Sequence, residues 1–303
     1  MNLRRLKLVR SLRRWSGLRR LWLLLAIAIA TQNVALMEHT QGPQAAVMAL
    51  LVWAGAYICL EDRLPLLRPR PGRGQLLLGV PLLLWVLARS ALASHWDGLL
   101  FAMAPVGGLA LLLLGVPWRQ RHHCREALLC LLLLPAYALV MRVLPEQPLS
   151  LASAIGAGTL LSSLGVAVHV EQRSVLLSGG GVTVLGPCNG LDLIAQLVSV
   201  AVLFQLAFPL RGWRSRCLLA LLTPLLGWWI NVMRVALLAT IAGGGQGKGT
   251  ALFDFFHDQA GSLLFSGVAT LTLGWVYLLL LERQLAPVPA SGSPVLPPSQ
   301  VLR

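Results

Sequence analysis

Three short stretches of this 303-residue chain carry side chains suited to acyl chemistry. They are "LGPCNGLD" with Cys188, "WINVMR" with Arg234 and "FHDQAG" with His257. A cysteine thiolate can attack a carbonyl carbon while a histidine takes or shares its proton. An arginine nearby can hold the oxyanion that develops, or a substrate carboxylate. Each residue also has a plain structural reading. The thiol could be packed and inert, the arginine could reach out to headgroups, and the histidine could be an interfacial residue among Phe253, Phe255 and Phe256.

Position argues for reading the three together. Cys188 stands at the mouth of an apolar run, with Asn189 or Gly190 expected to begin the helix. A thiol there should ionise more readily, because free N–H groups favour an anion. Cys59 and Cys130 fall inside other apolar runs, and Cys124 and Cys217 lie beside basic segments. Cys188 is thus left as a lone surface thiol. Arg234 follows Cys217 by 17 residues, about 25 Å of helix, near the far edge of its run. Asn231 lies one turn before it on the same face. Asp254 is expected to cap the last run and set His257 in its first turn.

Asp192 shares the Cys188 face at i+4. It is placed to pair with Arg234, to orient His257, or to serve as a first-turn acid. Arg89 and Arg142 lie deep in the third and fifth runs, level with Arg234. They could receive an acidic substrate residue or simply reach to headgroups.

The elements that must position these groups are membrane helices. The chain is 56% hydrophobic and only 12% charged, with mean hydropathy +0.73. Roughly 20 apolar residues cross a bilayer core, and eight segments qualify: 21–37, 44–60, 75–93, 98–118, 126–144, 190–208, 217–242 and 257–281. Residues 149–166 are apolar but rich in Ala, Gly and Ser, and are expected to lie at the interface. With that arrangement, twenty of the 25 Lys/Arg fall on the N-terminal side of the membrane, which marks it as cytoplasmic. A full crossing at 149–166 would move Arg211, Arg214 and Arg216 outside. The net charge of +14 is therefore read as orientation signal, not nucleic-acid binding. Residues 166–186 alternate β-branched and polar residues around Gly179, Gly180 and Gly181, which predicts a β-hairpin running into Cys188.

The expected fold is an all-α polytopic membrane protein with about eight transmembrane helices, an interfacial helix and a small outer-face β-hairpin. A basic cytoplasmic N-terminus (1–20) and a Pro/Ser-rich disordered tail (282–303) flank a single membrane domain at 21–281. The basic start followed by "AIAIA" also resembles a signal peptide, and cleavage there would leave the later topology unchanged. "RQRHHCRE" at 119–126 reads as a basic anchor more than a metal site. No cofactor or metal is expected.

The ordered set "CNG" (188–190), "NVMR" (231–234) and "FHDQAG" (256–261) resembles the exosortase/archaeosortase family of polytopic membrane cysteine transpeptidases, over about residues 150–281. The resemblance extends to the cyanobacterial branch of that family. The resemblance implies that Cys188 is the nucleophile, His257 the base or proton carrier and Arg234 the oxyanion stabiliser. Asn189 departs from the small residue often found after the cysteine. The implied substrates are exported proteins with a C-terminal signal such as Pro-Glu-Pro, one membrane helix and a basic tail. The implied location is a bacterial inner membrane in contact with lipid, with the site on the outer face. Competing classes are a membrane scaffold, in which the cysteine is incidental, and a transporter. The transporter is disfavoured because the spans hold few ionisable groups.

Overall fold

Long apolar runs with every backbone group satisfied internally can only be helices in a bilayer, and helices are what the chain forms. The structure, a computed structural model, describes residues 17–64, 71–93 and 98–285. The first helices are α1 (Gly17–Gln41), α2 (Pro43–Glu61) and α3 (Arg73–Ala91). A 3-10 turn (Gly98–Ala102) leads into α4 (Met103–Gly115), and another (Trp118–Cys124) into α5 (Arg125–Val143). After α6 (Glu146–Ser163) come β1 (His169–Glu171), β2 (Ser174–Leu177) and β3 (Gly180–Thr183). The chain ends in α7 (Leu191–Ala207), α8 (Trp213–Gly243), α9 (Ala251–His257) and α10 (Gln259–Leu285).

Among the described residues, seven helical segments are long and apolar enough to cross a membrane. They correspond to seven of the eight expected spans. The remaining one, α7, is an apolar helix of 17 residues. It is also the central helix, packing on α2, α5, α8 and α10. Its Leu203 joins the core formed with Met48, Met103 and Leu134, and its Leu197 joins the core formed with Leu219 and Leu273. The protein is an all-α polytopic membrane protein with one small sheet.

The segment at 149–166 forms α6, which lies along α8. Its small residues have a packing role. A side chain at Gly156 would meet Val232 at 2.8 Å, and Ala154 and Ala157 share a buried cluster with Val232, Val235 and Ala236.

The predicted hairpin is a three-stranded antiparallel meander in the order β1-β2-β3. Val175 pairs with Val170 on one side and Val182 on the other. The extra strand β1 was hidden because its turn, Gln172–Arg173, has no Gly, Pro or Asn signal. Gln172 itself takes the left-handed conformation, φ 49°. The expected turn glycines serve a second purpose. Gly179 and Gly180 lie against the carbonyls of Gly243 and Ala242 at the end of α8.

One boundary moved. The last helix continues to Leu285, into the segment expected to be tail. Residues 1–16 and 286–303, with most of the basic N-terminus and the tail, lie outside the described residues.

A side-chain β-carbon at Gly180 would stand 2.6 Å from the Ala242 carbonyl oxygen, a backbone atom that cannot turn aside. Gly180→Val is expected to destabilise the protein by about 1–3 kcal/mol. In detergent this should appear as a thermal midpoint lower by several degrees. An unchanged midpoint would mean that the meander is not seated on α8.

Candidate active site

The Cys188 turn is built from the chain upward. Residues Gly186–Cys188 make one 3-10 turn, closed by the Cys188 N–H donating to the Leu185 carbonyl at 2.9 Å. The next step into α7 passes through Gly190, at φ 91°. That left-handed conformation favours glycine. The space demands it too, since a β-carbon would lie 2.8 Å from Cβ, Cγ and Nδ2 of Asn231. The α7 helix therefore starts at Leu191, one or two residues later than the sequence suggested.

Two buried side chains hold this turn from neighbouring helices. Asn231 of α8 donates from Nδ2 to the Cys188 carbonyl at 3.0 Å and reaches Ser153 Oγ at 3.5 Å. Ser153 of α6, fully buried, donates to the Asn189 carbonyl at 2.9 Å. Asn189 is 1% exposed, and its Oδ1 accepts the Leu191 N–H at 2.8 Å. Its Nδ2 has no hydrogen-bond partner among the described residues. Ser153 was not singled out in the sequence, because a serine in a Ser-rich helix carries no pattern of its own.

One turn beyond Asn231 on α8, Arg234 is 7% exposed. A guanidinium buried this deeply requires partners, and it finds carbonyls. Its Nε donates to the Phe256 carbonyl at 3.3 Å and its Nη2 to the His257 carbonyl at 2.7 Å. These are orphan acceptors at the C-terminus of α9, where the helix also presents partial negative charge. Its positive charge also acts on the Cys188 thiol and on Asp192.

His257 departs from expectation. It is the last residue of α9, not the first turn of the final span. Thr250 is the N-cap of α9, and Asp254 accepts the Gly249 N–H at 3.2 Å at that helix's start. The chain breaks at Asp258 and resumes as α10. The His257 ring stacks on Phe253, with centroids 5.4 Å apart, and its Nδ1 lies 3.2 Å from Asp258 Oδ1. Its side chain is 45% exposed. No hydrogen bond joins it to Cys188 Sγ among the described residues. The structure thus brings Cys188, Asn231 and Arg234 together and ties the His257 backbone to them, while the ring points to Asp258.

Among the described residues no hydrogen bond or ion pair joins Asp192 to Arg234 or His257, although the Arg234 charge acts on it. Its Oδ1 accepts the phenol of Tyr137 from α5. Arg142 is exposed in the last turn of α5, and Arg89 is partly buried in the last turn of α3. Among the described residues no group of three or more His, Cys, Asp and Glu is arranged to hold a metal.

The thiol is not the readily ionised one expected of a helix start. Burial pushes the Cys188 thiol above its ordinary range, and the charge of Arg234 pulls it part of the way back.

Residues 39–274 match the family model for the transmembrane exosortases. The chain belongs to the transmembrane exosortase family. The match takes in Cys188, Arg234 and His257, and it extends well into the first half, beyond the 150–281 that the motifs alone suggested. It covers the family as a whole and does not single out a cyanobacterial branch. No curated protein and no solved structure matches the chain. An exosortase is a membrane-embedded protein of a family that processes sorting signals, and generally a protease or transpeptidase.

A thiol held in its neutral form by burial should alkylate slowly at neutral pH and faster as the pH rises, because the thiolate is the nucleophile. Removing the Arg234 charge raises the Cys188 pKa further, so Arg234→Gln should slow iodoacetamide modification of Cys188 several-fold at pH 8. Peptide-level mass spectrometry separates Cys188 from the other four cysteines. Equal or faster alkylation in the variant would mean that Arg234 does not act on the thiol.

Proposed function

We propose that this exosortase is a cysteine peptidase/transpeptidase that cleaves C-terminal sorting signals of exported proteins. The observation that carries the reading is the clamp on the Cys188 turn. Asn231 and Ser153 hold the carbonyls of Cys188 and Asn189, and the buried charge of Arg234 acts on the sulfur. A cysteine needed only for packing has no use for a preorganised cation.

In this reading the Cys188 thiolate attacks the carbonyl carbon of the scissile peptide. Arg234 stabilises the oxyanion, with Asn189 Nδ2 as a candidate second donor. His257 takes the thiol proton as its ring turns from Asp258 toward the sulfur, and passes that proton to the leaving amine. A thioester forms, and the substrate's C-terminal helix departs. An incoming amine or water, deprotonated by His257, then attacks the thioester and restores the thiol. Asp192, held by Tyr137, supports the field around Arg234.

The substrate class follows from the family and from geometry. A signal consisting of a short motif such as Pro-Glu-Pro, one membrane helix and a basic tail can lie beside the bundle and present its junction to Cys188. Side-by-side anchoring restricts the search for the scissile bond. The distribution of Lys and Arg supports a cytoplasmic N-terminus in a bacterial inner membrane, with Cys188 on the outer face. Arg89 and Arg142 are candidate docking points for an acidic residue of the signal, and unchanged processing in Arg89→Gln and Arg142→Gln would remove them from the mechanism.

The test is C-terminal processing in cells, with a candidate exported protein tagged beyond its basic tail. At matched membrane levels, Cys188→Ala should abolish tag removal. His257→Ala should lower the rate by roughly 10²–10⁴-fold and Arg234→Ala by roughly 10²–10³-fold. Full processing by Cys188→Ala would defeat the nucleophile assignment and favour a scaffold.

A further inference from the structure

An apolar cavity of about 590 Å³ lies between α1, α2, α4 and α5, away from the Cys188 cluster. It exists because small residues stand where larger ones would fill it: Ala26, Ala30, Ala54, Gly108 and Ala127 all line it. It follows α1 from Trp22 to Glu38, 16 residues or about 24 Å of helix. A slot of this length with an apolar wall suits an extended hydrocarbon chain. An unfilled apolar slot forfeits dispersion contacts along its wall.

The two ends of the slot differ in charge. At one end it is bounded by Trp22, Leu64, Val116 and Cys124. Arg19, Arg63, Arg119, Arg121 and Arg125 stand at that end, against Glu61, Asp62 and Glu126. Arg63 is committed to Glu126 at 2.5 Å and to the His123 carbonyl at 2.8 Å. Arg121 stacks over Trp118 at 4.6 Å, a planar and exposed guanidinium suited to phosphate. At the other end the slot closes on Glu38. An anionic headgroup is favoured at the first end and disfavoured at the second.

We propose that this slot is a binding site for an anionic glycerophospholipid, with one acyl chain along α1 and the phosphate at the Arg119–Arg121 turn. The assignment is independent of the chemistry at Cys188. A resident lipid would fill the space between the α1–α2 hairpin and the α4–α5 pair.

The test uses the full chain in nanodiscs. Phosphatidylglycerol bearing a photoreactive diazirine on one acyl chain is compared with phosphatidylcholine bearing the same chain, at equal mole fraction. Cross-links are located by peptide mass spectrometry. The expected result is labelling of slot residues in α1, α2 and α5, at least five-fold stronger from phosphatidylglycerol. Ala30→Trp should remove it by filling the slot. Arg119→Gln with Arg121→Gln should abolish the preference between lipids while the slot chain still labels, and this second variant leaves the core intact. Equal labelling from both lipids in wild type overturns the anionic site. Labelling that survives Ala30→Trp in a folded protein overturns the slot, since the chain would then be bulk lipid.

Discussion

The arrangement depends on one buried cation. Arg234 sits on a membrane helix with little access to water, and an unpaired charge there would be costly. A carboxylate partner would neutralise it and cancel its field. Here the partners are two backbone carbonyls, which satisfy the guanidinium without removing its net charge. Those carbonyls exist because α9 stops at His257 and α10 begins afresh at Gln259. The helix break and the arginine therefore require one another, and together they anchor the His257 segment to α8.

A second constraint converges on the same helix. Asn231 occupies the space that a side chain at residue 190 would need and uses it to reach the Cys188 carbonyl. The pairings Cys-x-Gly and Asn-x-x-Arg thus describe one contact from its two sides. Glycine admits the asparagine, the asparagine fixes the cysteine, and the arginine one turn on supplies the charge.

Much of this was legible in the sequence, for physical reasons that differ by element. Apolar run length and the distribution of Lys and Arg marked the membrane helices, because a bilayer enforces both. Helix periodicity put Asn231 and Arg234 on one face. What escaped were contacts whose partners are backbone atoms or residues distant in the chain. Nothing in "FDFFHD" announces that His257 closes one helix instead of opening another. The strand β1 hid behind a turn that Gln172 makes without the usual residues. Ser153 and Tyr137 gain meaning only from the helices that the fold sets beside them. The lowered thiol pKa expected from the helix start was outweighed by burial, which a linear sequence does not display.

The helix α8 continues for twelve residues past Asn231 to Gly243, about 18 Å beyond the level at which it grips the Cys188 turn. The meander is propped on that far end, through Gly179 and Gly180. The Gly179–Gly180 end of the meander therefore contacts α8 about 18 Å along the helix from the level of Asn231. A polypeptide drawn along that length of helix covers at most ~3.5 Å per residue. In the proposed reaction, a substrate led along that stretch of α8 spans the distance to the sulfur with about five extended residues.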